Sequence, residues 1–128
     1  MTPARRIERS FVSEEPGDGR AEDLAATILA ELRRGRPAPE RDVDLHGLDA
    51  GEAAREVRRA LADARAAGLR CVRIIHGRGL HSESGAVLRD RVPGWLAAPP
   101  LAEIVLAFAR GRRDGGGSTA VLLRRKRP

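Results

Sequence analysis

The sequence predicts an α/β fold: a four-stranded mixed sheet in the order β-α-β-α-β-β, with helices packed on it. Three observations predict it. Short alternating or apolar runs stand at 41–46, 71–75, 103–108 and 119–123. The first two are each followed by a stretch with helical apolar spacing, at 50–67 and 85–97. Glycine and proline clusters punctuate the joints.

Residues 1–20 hold Pro3, Pro16, Gly17 and Gly19 with mixed charge and little apolar content, and read as disordered. Residues 21–34 read as a helix with Leu24, Ile28 and Leu32 on one face. Gly35, Pro37 and Pro39 end it, so the chain divides into an N-terminal helical extension, 1–38, and a domain, 39–128. In Asp42-Val43-Asp44-Leu45-His46-Gly47 the apolar Val43 and Leu45 alternate with Asp44 and His46. A strand turns successive side chains to opposite faces, so Asp44 and His46 emerge together, roughly 6.5–7 Å apart along the strand. Asp49 and Glu52 have capping-box spacing for the next helix, with Ala54, Val57, Leu61 and Ala64 on its inner side. Gly68 is placed to close that helix in a left-handed conformation.

Cys71-Val72-Arg73-Ile74-Ile75 is apolar enough for a central strand. A glycine-rich loop, residues 76–85, runs into the next helix, with Leu88, Val92, Trp95 and Leu96 inward and Pro93 expected to kink or split it. Two strands follow, at 103–108 and 119–123, joined across Gly115-Gly116-Gly117. The single cysteine, Cys71, excludes an internal disulfide and a cysteine metal cluster.

The charge is uneven. Residues 110–128 carry seven basic side chains against Asp114 and supply the whole net +6. Arg112, Arg113, Arg124, Arg125 and Lys126 are the candidate nucleic-acid contacts, since a basic end of this kind attracts polyanions. No apolar run reaches the roughly 18 residues of a membrane helix, and the N-terminus shows no signal segment, so a cytoplasmic location without membrane contact is expected.

With these elements in place the chain resembles the Smr (small MutS-related) domain family in its stand-alone bacterial form. Val43-Asp44-Leu45-His46-Gly47 matches that family's Leu/Val-Asp-Leu-His-Gly motif, and Ile74-Ile75-His76-Gly77-Arg78-Gly79 its His-Gly-Lys/Arg-Gly loop. Trp95-Leu96, Val105-Leu106-Ala107-Phe108 and the glycine turn follow in order, over about residues 40–125. Ser118, Thr119, Gly111 and Pro93 depart from the usual pattern, outside the first two motifs. The resemblance implies a two-layer sandwich and nucleic-acid binding, often with nicking or endonuclease activity. Some relatives act on RNA at stalled ribosomes and others on DNA. Carried over, Asp44 and His46 are the acid/base pair, with His76, Gly77, Arg78 and Gly79 the phosphate-binding loop.

The chemistry fits those residues. Phosphodiester cleavage needs a base, an acid and cations for the developing charge. Histidine alone has an unperturbed pKa, about 6.5, that serves either role near neutrality. His46 is therefore the expected acid or base, Asp44 its orienting carboxylate and His76 a second imidazole. On RNA the 2′-hydroxyl supplies the nucleophile and no cofactor is required. On DNA water must attack, and a divalent metal on Asp44 becomes useful. No spacing among Asp44, His46, His76 and His81 is a recognised metal motif, so no metal site is assigned. Two other readings stay open: a non-catalytic DNA-, RNA- or ribosome-binding module, and a protein-interaction domain docking through the 21–34 helix. Oligomeric state is left open.

Overall fold

The computed structural model describes residues 5–8, 11–13, 15–77, 83–112 and 114–126, with 5–8 and 83–86 described by backbone alone. The strands are β1 (Arg5–Glu8), β2 (Phe11–Ser13), β3 (Gly19–Ala21), β4 (Arg41–Asp44), β5 (Cys71–Ile75), β6 (Val105–Arg110) and β7 (Ser118–Leu123). The helices are α1 (Ala26–Arg33), α2 (Ala50–Ala66) and α3 (Glu83–Ala97), with a 3-10 turn at Leu101–Glu103. From β4 onward the expected β-α-β-α-β-β order holds.

Alternation does the work it promised in β4 and its neighbours. Val43 and Leu45 are buried while Asp42, Asp44 and His46 are exposed. β4 pairs parallel to β5, and β5 pairs antiparallel to β7, which pairs antiparallel to β6. Asp49 and Glu52 form a complete capping box at the start of α2. That helix buries Ala53, Val57, Ala60, Leu61 and Ala64, with Ala53 rather than Ala54 on the inner stripe. Gly68 follows with φ +82°, the left-handed value expected of it. Pro93 lies inside α3 without splitting it, and Leu88, Val92 and Leu96 face the core while Trp95 is half-buried.

The described residues of the N-terminal 20 are not disordered. β1, β2 and β3 extend the sheet to seven strands, in the order β1-β2-β3-β6-β7-β5-β4. Gly19 sits opposite Phe108 across the β3–β6 pairing. Phe11 is fully buried, its ring 6.0 Å from that of Phe108. Two such rings supply the apolar area that the short strands lack. The expected helix at 21–34 is shorter, and its buried residues are Leu29 and Leu32; Ile28 is exposed. The phase shifts because α1 begins only at Ala26, after β3 has fixed the entry of the chain.

The sheet has two apolar faces. Val43, Val72, Ile74, Val121 and Leu123 meet α2 and α3 on one. Cys71, Ala107, Ala109 and Leu122 meet Leu29 and Leu32 of α1 on the other. The domain from β4 onward keeps its two layers, and α1 adds a partial third layer over β6 and β7. Burial pushes the Cys71 thiol up to about 11, leaving it a small core hydrophobe with little thiolate. No described helix is long and apolar enough to cross a membrane.

Candidate nucleic-acid interface

One end of the sheet gathers the chemistry. The carboxyl ends of β4 and β5 and the β6–β7 hairpin meet there: Asp44 pairs with Ile75, and Ile75 with Ser118. Backbone bonds knit the three segments. Leu45 N–H donates to the Ile75 carbonyl at 2.9 Å, and the His76 and Gly77 amides both donate to the Gly117 carbonyl, at 3.1 and 2.9 Å.

Asp44 and His46 are both exposed at this end, at the rim of the sheet. The Asp44 carboxylate accepts from the His46 backbone N–H at 2.9 Å. This bond turns the chain two residues on and fixes the start of the loop that carries the imidazole. Gly47 continues the turn with φ +80°, where other residues are strained. Next to Asp44, Asp42 takes a two-pronged bond from Arg73 at 3.0 and 2.8 Å. The Arg73 guanidinium holds the Asp42 carboxyl below its ordinary range.

His76 departs from expectation. It is buried, and both ring nitrogens are engaged inside the protein. Nδ1 lies 2.9 Å from the Gly77 carbonyl and Nε2 2.9 Å from Thr119 Oγ1. A carbonyl only accepts, so Nδ1 carries the proton, and in the neutral ring Nε2 accepts from the Thr119 hydroxyl. His76 thus ties the loop to β7, where the sequence led us to expect an imidazole open to substrate. The Gly77 amide is likewise taken by the Gly117 carbonyl, and its φ of +85° is what requires glycine. Arg78, Gly79 and His81 lie outside the described residues, as does Arg113.

Burial pushes the His76 pKa down, with Arg110 and Arg89 acting the same way against the Gly77 bond and Asp114. An unfolded histidine titrates near 6.5. Below that pH the unfolded chain takes up the proton more readily, so the neutral ring's stabilisation is complete above about pH 6.5 and lost as pH falls toward the folded value. Chemical denaturation at pH 7.5 and 5.5 is expected to show stability falling on acidification. The fall should be smaller in His76→Gln; an equal fall in both proteins would refute the assignment.

The hairpin turn is organised by Asp114. It accepts from the Gly116 and Gly117 amides at 3.2 and 3.1 Å, and from the Ser118 hydroxyl. Desolvation opposes its charge, but these donors outweigh it and hold the carboxyl below its ordinary range. Arg112 projects from the same turn, exposed, with its guanidinium 3.0 Å from Glu15. An exposed pair of this kind is worth at most about 1 kcal/mol, so a phosphate can compete for Arg112.

The structure does not bring all the basic residues together. Leu123 pairs with Val105 and its amide bonds the Arg70 carbonyl, so Arg124, Arg125 and Lys126 leave β7 at the other end of the sheet. Five residues of β5 at about 3.3 Å each separate them from Asp44 by roughly 17 Å or more. The burial of His76 had no local signal, because Thr119 lies 43 residues away.

The Smr domain profile matches residues 43–125, from Val43 through both motifs to two residues beyond β7. The chain belongs to the Smr domain family. It is 37% identical over 99 residues to a ribosome rescue factor SmrB of Serratia proteamaculans, covering 77% of this Smr chain and 52% of that protein. A ribosome rescue factor SmrB of an Enterobacter species is 35% identical over 102 residues, covering 80% and 51%. The chain therefore spans about half the length of these curated relatives. Among solved structures it superposes on YdaL, a stand-alone small MutS-related protein from Escherichia coli. There the TM-score is 0.69, with 29% identity over 87% of this chain and 85% of that one. The Smr domain of Thermus thermophilus MutS2 matches with a TM-score of 0.56 and 38% identity, over 66% of this chain and 98% of that domain.

Proposed function

We propose that this Smr domain is a nucleic-acid-binding module that engages RNA in the setting of the ribosome. The observation that carries the reading is the β4–β5–hairpin end of the sheet. An exposed imidazole, a loop fixed by internal bonds and an exposed, weakly paired arginine share one rim there. The SmrB relatives, ribosome rescue factors by name, supply the setting.

A second reading, RNA cleavage, rests on one specific observation: His46 stands exposed while Asp44 fixes the turn that presents it. His46 would move the proton of the 2′-hydroxyl or of the leaving oxygen, Asp44 would be a positioning residue, and Arg112, two strands away on the same rim, would hold a neighbouring phosphate. His76 and Asp114 hold the two loops that frame this arrangement.

One experiment separates the readings. End-labelled RNA and DNA are incubated with the wild-type protein and with His46→Ala, and binding and cleavage are measured together. Under the binding reading, RNA is retained without cleavage in both proteins. Under the cleavage reading, wild-type protein cuts and His46→Ala slows cutting by about 100-fold or more, the scale of one acid/base group, while still binding. Failure of the wild-type protein to retain RNA at low salt would overturn both.

A further inference from the structure

The pole of the sheet opposite Asp44 and His46 holds a basic cleft of about 430 Å³, lined by Arg65, Arg70, Leu106, Arg124 and Arg125, with Glu103 its single acidic residue. Three elements converge to build it. Arg65 ends α2, Arg70 opens β5, and Arg124 and Arg125 follow β7. Hydrogen bonds tie the three segments together. Arg124 N–H donates to the Ile104 carbonyl at 2.8 Å, and Arg70 Nε donates to the Leu123 carbonyl at 3.0 Å. Lys126 Nζ bonds the Ala66 carbonyl at 3.1 Å, a cation at the negative end of α2. Among the described residues, the Arg124 and Arg125 side chains have no acidic partner. In the other arginine-lined cleft, beside α1, three of the five lining arginines are neutralised: Arg33 is paired with Asp18, Arg73 with Asp42 and Arg112 with Glu15. Four guanidinium groups around one cleft, with a single carboxylate among them, suit phosphates that can be gripped from two sides.

We infer that the cleft formed by Arg65, Arg70, Arg124 and Arg125 is a second nucleic-acid contact that grips the phosphate backbone about 17–20 Å from His46. The inference rests on the RNA-binding reading and adds to it a minimum length of ligand. For a stacked strand, rising about 3.4 Å per nucleotide step, the two poles are bridged by about six nucleotides or more. A tetranucleotide engages one pole at a time; a 20-nucleotide RNA engages both.

The test uses the full chain and the double variant Arg124→Ala/Arg125→Ala, with affinity for 4- and 20-nucleotide RNAs measured over a salt series. Each phosphate contact to a single strand contributes about 0.7 to the slope of log affinity against log salt. Losing two should reduce the slope for the 20-mer by about 1.4 and weaken binding roughly ten- to thirty-fold near 100 mM salt. Binding of the tetranucleotide at the His46 pole should hardly change. Arg124→Lys/Arg125→Lys keeps the charge and should restore most of the slope. An unchanged slope on the 20-mer, an equal loss on both RNAs, or no rescue by lysine would overturn the second contact while leaving RNA binding standing. A wild-type protein that binds neither RNA would overturn both.

Discussion

Asp18→Ala is expected to cost about 3 kcal/mol of folding stability, lowering the melting temperature by roughly 10 °C for a chain of this size. Asp18 is buried in the turn between β2 and β3. Its Oδ2 takes a 2.6 Å bond from Arg33 Nε at the end of α1, and its Oδ1 takes the Arg110 backbone N–H at 2.8 Å at the end of β6. One carboxylate thus clamps the N-terminal turn, α1 and the central sheet. Removing it leaves a mostly buried guanidinium with only the more distant Glu15, 4.0 Å away, and an amide without its acceptor, which costs more than the bonds themselves are worth. Asp18→Asn keeps an acceptor for Arg110 and should lose less. Thermal melts of the three proteins check the order; a loss below 1 kcal/mol in Asp18→Ala would refute the clamp.

Gly19→Ala is the second large effect, about 2 kcal/mol destabilising. Alanine in a strand normally improves on glycine, by roughly 0.5–1 kcal/mol. Here the sign reverses, because an added Cβ would stand 2.5 Å from Cζ of the Phe108 ring on the facing strand. The ring lies over the bare glycine backbone, flanked by Phe11, and overpacking of such a core costs about 1–3 kcal/mol. Shrinking the ring in Gly19→Ala/Phe108→Leu should recover part of the loss beyond the sum of the single changes. Gly94→Ala serves as the contrast. It lies in α3 with nothing within 4 Å of an added Cβ, and should stabilise by up to about 1 kcal/mol. Denaturant midpoints of these variants decide the matter.

These residues also show where the sequence was readable. Val43 and Leu45, the Asp49–Glu52 box and Gly68 are local signals with local causes, and each element they mark is present. β2 and β3 were missed because each is three residues long and stable only against a partner far along the chain. Pro16, Gly17 and Gly19 signal flexibility in isolation, yet here they make a tight turn and a seat for an aromatic ring. At the site, the exposure of Asp44 and His46 followed from strand alternation. The buried bonds of His76 did not, since glycine loops that cradle phosphates and glycine loops that lock onto a neighbouring strand share the same spelling. The basic residues were visible as charge, but only the direction of β7 divides Arg112 from Arg124 and Arg125.

The β3–β6 pairing has a consequence for the order of events during synthesis. Gly19 meets Phe108 across 89 intervening steps of the chain. The segment holding Phe11 is translated early, but its docking platform emerges only when β6 is complete. Until then an aromatic side chain and the locally paired β1, β2 and β3 lack the strand they dock on, at the slow, long-range end of folding. The stretch that forms β6 therefore decides when the stretch around Phe11, made before it, is packed away.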